Sequence, residues 1–144
     1  MQLCTVSVIV QARAELDESS VDDFEKCEER IVSQWRELTA DSSSQLREKV
    51  NEVLRPLGYK ATLVVLERTD SIALFFVSMT LSAVTNLRHQ WRFRQLRDIV
   101  QSLFTILSGA TRPVRVKKLT WLPTDYERCL EFFRSAQGKQ TISL

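Results

Sequence analysis

Two consecutive runs, YKATLVVLER and SIALFFVSMT, are rich in β-branched and aromatic residues and are separated at Thr69-Asp70, so they read as a β-hairpin. A short loop there sets Glu67 opposite Ile72 and Val65 opposite Leu74, and parity then assigns every later residue to a face. One set is Leu63, Val65, Ile72, Leu74 and Phe76; the other is Val64, Leu66, Phe75, Val77 and Met79. Both are apolar. A sheet wetted on one side alternates cleanly, so something is expected to cover the second set. The choices are a helix of this chain, a partner protein or a second copy.

The remaining segments supply the partners for that hairpin. Leu3 to Arg13 alternates Cys4, Val6, Val8 and Val10 with Thr5, Ser7, Ile9 and Gln11, the period of a strand. Residues 20 to 38 place Val21, Phe24, Cys27, Ile31, Trp35 and Leu38 on one helical stripe. Ser42 with Gln45 reads as a capping box for a second helix carrying Leu46, Val50, Val53, Leu54 and Leu57, which Gly58 ends. Residues 85 to 108 form one long helix in this reading, stopped by Gly109. Pro113 opens a short strand, PVRVKKLTW, and Thr124 with Glu127 caps a last helix bearing Tyr126, Cys129, Leu130 and Phe133, with Gly138 as its stop.

The order β, α, α, β, β, α, β, α reduces to βαββαβ, the ferredoxin-like plait, once two extra helices are removed. The expectation is therefore an α/β (α+β) sandwich: one domain over residues 1–138, a four-stranded antiparallel sheet in the order 4-1-3-2, and a loose tail over 139–144. A chain of 144 residues with 44% hydrophobic and 26% charged residues is long enough to bury a core without metal or disulfide support.

Composition narrows the chemistry. Three glycines, Gly58, Gly109 and Gly138, all follow helical segments, leaving none for a phosphate-binding glycine loop. The single histidine, His89, sits among arginines in LRHQWRFRQLRD and has no triad or ligand partner in the sequence. Cys4, Cys27 and Cys129 are odd in number and far apart, so they suggest neither a disulfide framework nor a metal site. The expectation is a protein that is not an enzyme, with no catalytic residue, cofactor, metal or small-molecule substrate. The apolar run Ile72 to Met79 is far short of the ~20 residues of a membrane-spanning helix. With no positive n-region at the start, this points to a cytoplasmic protein.

Charge is segregated. Residues 15 to 29 hold eight acids and one lysine, whereas residues 85 to 118 hold eight Lys or Arg and one acid, beneath an overall charge of +2. Arg88, Arg92, Arg94 and Arg97 crowd the first half of the expected long helix, where the macrodipole disfavours cations. Together with Arg115 and Lys117 of the last strand they form a candidate basic contact surface, beside the apolar one of Val64, Leu66, Phe75, Val77 and Met79. An RNA-binding plait would stack bases on aromatics of its two central strands, and no RNP1-like segment is present, which makes nucleic acid the weaker alternative.

From about Leu46 to Phe133 the chain resembles the N-terminal domain of the TNF-receptor adaptor TRADD. The likeness rests on the helix before Gly58, VVLERTDSIAL at the hairpin, LRHQWRFRQLRDIVQSLFTIL, PVRVKKL and DYERCLEFF. Its most specific pieces are ERCL at Glu127 to Leu130 and RTD at Arg68 to Asp70. The resemblance implies an α/β sandwich serving as a cytoplasmic adaptor or effector module in TNF-receptor, innate-immune or cell-death signalling. Its partner would be the C-terminal domain of a TNF-receptor-associated factor, or another chain of the same protein. It also implies partner contacts at the sheet and its hairpin end, at the positions of Glu67 and Thr69.

Overall fold

The computed structural model describes residues 7–40, 45–58 and 60–142. Strands β1 (Val8–Leu16), β2 (Ala61–Arg68), β3 (Ile72–Ser78) and β4 (Val116–Thr120) form one sheet. Five helices accompany it among the described residues: α1 (Phe24–Ala40), α2 (Gln45–Leu54), α3 (Leu81–Arg92), α4 (Gln95–Ser108) and α5 (Pro123–Ile142). The strand order is β2-β3-β1-β4 with every neighbour antiparallel, the expected 4-1-3-2 read from the other edge. The chain is thus an α+β protein built on a four-stranded antiparallel sheet.

The alternation expected of the first strand holds and runs three residues further. Val8, Val10, Ala12, Ala14 and Leu16 are buried, while Ile9, Gln11, Arg13 and Glu15 between them are exposed. The two alanines keep the same parity as the valines, so β1 continues on small residues where the apolar bulk of its sequence thins. The expected residues before Ser7, Cys4 among them, lie outside the described residues, as does Ser42 of the first capping box. On the buried face, Leu74 and Phe76 of β3 meet Leu63 and Leu66 of β2, beneath Ile31 and Trp35 of α1 and Leu103, Phe104 and Leu107 of α4. Gly58 and Gly109 do take positive φ (76° and 66°) where α2, through a 3-10 turn, and α4 end.

Four expectations are corrected. The hairpin pairs Arg68 with Ile72, Glu67 with Ala73, Leu66 with Leu74 and Val65 with Phe75, one step from the expected register, and a bulge at Val64 then shifts the pairing. Leu66 therefore faces the core, 2% exposed, and Val65 takes its place on the opposite face, 45% exposed. The turn contains three residues, Thr69, Asp70 and Ser71, where a loop of two or four about Thr69-Asp70 was expected, with the Thr69 N–H donating to the Ser71 carbonyl.

The single helix expected over 85–108 is two helices. Trp91 and Leu96 are five residues apart, a rotation that takes the apolar stripe off one face, and the chain turns at Phe93 and Arg94 to bring both stripes onto the core. Arg94 is the one non-glycine residue with positive φ (64°) among the described residues. A side chain with a Cβ costs about 1–2 kcal/mol there, so Arg94→Gly is expected to stabilise the fold by about 0.5–1 kcal/mol after glycine's own entropy is counted, read as a raised urea midpoint.

The last helix begins with Pro123 at its first position, so Thr124 lies inside the helix rather than capping it. The helix also passes through Gly138 to Ile142, so Gly138 does not end it. A glycine inside a helix costs about 1 kcal/mol and does not by itself stop one.

Candidate interaction surface

The helices are distributed unequally about the sheet. Helices α1, α3 and α4 pack on the buried face and α2 packs on α4, while α5 lies along the half of β1 that β4 leaves unpaired. Its placement follows from two side chains. Asp125 accepts the Gln11 N–H at 3.2 Å and the Trp121 indole N–H at 2.9 Å, and Arg128 donates to the Ile9 carbonyl while holding Asp125 at 2.9 Å. The second face is left open. Ile9, Val65 and Met79 are 53%, 45% and 43% exposed, and Phe75 and Val77 are half-buried.

The register arranges this face in rows. Thr62, Val77 and Ile9 form one, and Val65, Phe75 and Gln11 the next. Beyond them come Glu67, Ala73, Arg13 and Thr120, and then Glu15 beside Lys118. One end is apolar and the other carries alternating charges. The four ion pairs of the described residues, Arg68 with Glu28 and Glu29, Arg112 with Asp22 and Arg128 with Asp125, use none of the charges in these rows. A cleft of about 820 Å³ opens at the charged end, lined among others by Gln11, Arg13, Glu15, Thr120, Asp125 and Arg128.

The edge formed by β4, in contrast, is closed to strand addition. Val116 donates its N–H to the Gln101 side-chain oxygen at 3.0 Å, and its carbonyl accepts from Arg97 Nε at 3.0 Å. The Leu119 carbonyl accepts from the Trp91 indole at 2.9 Å, and that of Trp121 from Arg88 at 2.8 Å. With those groups occupied, a docking chain has the open face available to it rather than this edge.

The same bonds redefine the basic residues. Arg88 is not a free contact group: its guanidinium lies 4.1 Å from the Trp91 ring centre, 5.0 Å from Trp121 and 4.8 Å from Tyr126. Burial among these rings lowers its pKa, partly offset by Tyr126. Arg97 is likewise committed to β4. Arg92 and Arg94 are exposed at the α3–α4 corner, on either side of Phe93, which is 65% exposed. The expected basic surface is thus divided, two of its four helical arginines serving the fold.

Arg115 and Lys117 also lie elsewhere than expected. Lys117 is the extra residue where the β1–β4 register shifts, so Lys118 and not Lys117 stands beside Glu15. The backbone of Arg115 bonds to Asp17 and Ser20. Both cations flank Asp17, whose pKa is lowered first by its hydrogen bonds from Ser19 and then by these charges. Phe75 pairs with Gln11, outside the Arg13–Leu16 stretch of β1 that β4 pairs, so the outward juxtaposition of Phe75 with Arg115 and Lys117 that base stacking would need is not formed.

Of the sequence-proposed contact residues, the structure brings together Phe75, Val77 and Met79, with Glu67 at the far end of the same face and Thr69 in the adjoining turn. Val64 is 38% exposed at the bulge, where its carbonyl accepts from the Trp35 indole at 3.3 Å. Ile9, Arg13, Glu15 and Lys118 belong to the surface without an expectation that placed them there, and Val65 belongs to it although the expected register set it on the other face. The alternation of β1 already placed Ile9 opposite the core, and a central strand's outward residues are by geometry the middle of whatever docks there.

Among the described residues no group of three or more His, Cys, Asp or Glu is placed to hold a metal ion, and no helix is long and apolar enough to cross a membrane. Cys129 is buried and its thiol is pushed up to about 11, chiefly by desolvation, which keeps it protonated and a poor nucleophile at neutral pH. No protein family, curated protein or solved structure matches the chain.

Proposed function

We propose that this chain is a non-enzymatic protein-interaction domain with the topology of a ferredoxin-like plait, working as an adaptor or effector module of cytoplasmic signalling. The observation that carries the reading is the open sheet face. Ile9, Val65, Phe75, Val77 and Met79 leave an apolar patch facing solvent, and α1 to α5 all pack elsewhere. Contiguous exposed apolar surface of this kind on a small domain marks a binding site more often than an accident of folding. The charged rows beside it supply the polar rim that sets register and partner choice.

The likeness to the TRADD N-terminal domain gives the proposal its specific form: a TNF-receptor-associated factor docks its C-terminal domain against this face and the Glu67–Thr69 end of the hairpin. Calorimetry with that purified domain tests it. Binding is expected with a negative heat-capacity change and weak dependence on salt, as apolar burial requires. Ile9→Lys is expected to weaken it at least about tenfold, and Phe93→Ser on the helical side to leave it unchanged. Absence of binding removes this partner, and binding indifferent to Ile9→Lys removes the face. Tight oligonucleotide binding that collapses as salt rises would instead favour the nucleic-acid alternative.

A further inference from the structure

We propose that the open face docks on the same face of a second copy of this chain, about a twofold axis parallel to the strands; the proposal rests on the reading of that face as an interaction surface. Two in-plane axes can bring such faces together. An axis across the strands lays the apolar rows of one copy on Arg13 and Glu15 of the other, which desolvates charge against hydrocarbon. An axis along the strands keeps each row on its counterpart and exchanges β2 with β4 and β3 with β1.

The second arrangement is complementary row by row. Val77 lies over Ile9 of the partner subunit and Phe75 over Gln11 of the partner subunit, closing the apolar end. In the next row Arg13 of the partner subunit comes over the side of the row that holds the small Ala73, next to Glu67. Asp70 at the hairpin tip comes to the side of Lys118 of the partner subunit. Each pairing occurs twice by symmetry, and Arg13, Glu67 and Lys118 form no ion pair among the described residues. Self-complementarity of this kind is what an isologous interface demands.

The size of the face sets the strength. Four strands ~4.8 Å apart and about six residues deep cover on the order of 400 Å² per copy, so the total reaches the low end of specific interfaces only with its margins included. Met79 and Leu122, 43% and 59% exposed, supply those margins. The dimer is therefore weak and depends on concentration.

Sedimentation equilibrium of the intact chain from about 10 µM to about 1 mM tests it. The mean mass is expected to climb above 16.7 kDa with concentration. Ile9→Lys and Arg13→Glu each lower the association constant about tenfold or more, and adding Glu67→Arg to Arg13→Glu restores most of it. A mass fixed at the monomer value throughout, a dimer untouched by Ile9→Lys, or a charge exchange that restores nothing overturns the proposal. The separate calorimetric assay with the TNF-receptor-associated factor domain then judges the face as a site for other proteins.

Discussion

Replacing Asp125 with alanine is expected to destabilise the fold by about 2–4 kcal/mol, the sum of two orphaned donors at about 1–3 kcal/mol each with allowance for water reaching one of them. Its carboxylate, with a side chain 17% exposed, satisfies the N–H of Gln11 and the indole of Trp121, and Trp121 is 1% exposed. It also holds Arg128 against the Ile9 carbonyl, so its removal loosens α5 from β1 as well. Both donors meet Oδ2 while Arg128 meets Oδ1, so Asp125→Asn can satisfy both with its amide oxygen and loses the Arg128 ion pair, at a cost of about 1 kcal/mol. Urea unfolding of the three proteins reads both numbers. A loss below about 1 kcal/mol for the alanine variant would mean that α5 is held to the sheet by its apolar residues alone.

Arg68→Ala is expected to cost about 2–3 kcal/mol near pH 7 and distinctly less near pH 5. Glu28 is buried on α1, with a side chain 3% exposed; one carboxylate oxygen meets Arg68 Nε at 3.3 Å, and the other has no hydrogen-bond partner. Removing the guanidinium leaves a buried charge uncompensated; the usual cost of about 3–5 kcal/mol is reduced here because Arg68 is itself a third exposed.

The pH dependence follows from the direction of the Glu28 shift. Burial raises its pKa above the ordinary carboxylate value, while the hydrogen bond and charge of Arg68 pull it down. Without Arg68 it rises further. The folded variant then binds a proton that the unfolded chain does not, so its stability increases as pH falls through the raised pKa and levels off below the unfolded one. The double variant Arg68→Ala, Glu28→Gln should recover much of the loss at neutral pH. Equal penalties at the two pH values would show that Arg68 acts through packing rather than through Glu28.

Much of the sheet was legible because strand period and side-chain size agree. Val8, Val10, Ala12 and Ala14 declare their face whatever they pair with, and the apolar hairpin implies a central position for β3. The register of that hairpin was not legible. It depends on whether the turn holds an even or an odd number of residues and on a bulge at Val64, neither of which has a glycine or proline to mark it, and one step of slip exchanged Leu66 with Val65. The division of the long helix was hidden for a related reason, since its break falls on Phe93 and Arg94, residues that do not ordinarily stop a helix.

The surface was legible in outline and misread in its charges. A greasy second side to β3 is visible in Phe75 and Val77 alone. That Arg88 is held by the fold is not, because Trp121 and Tyr126 reach it only through the tertiary structure, and a cation read along the chain looks the same whether it faces water or three aromatic rings. Ile9 is inconspicuous for the opposite reason: its neighbours Ser7 and Gln11 are polar, and a mixed face gives little sign of standing beside an apolar one.

The most direct test of the account is relaxation of the Ile9, Val65 and Val77 methyl groups by a soluble nitroxide, measured by NMR at about 20 µM and again at about 1 mM protein. The account predicts strong relaxation in the dilute chain, as for any uncovered side chain, and shielding of these same methyls at the higher concentration while the Phe93 ring stays accessible. Methyls already shielded in the dilute chain, or an association that shields Phe93 and leaves the sheet face unchanged, would contradict it.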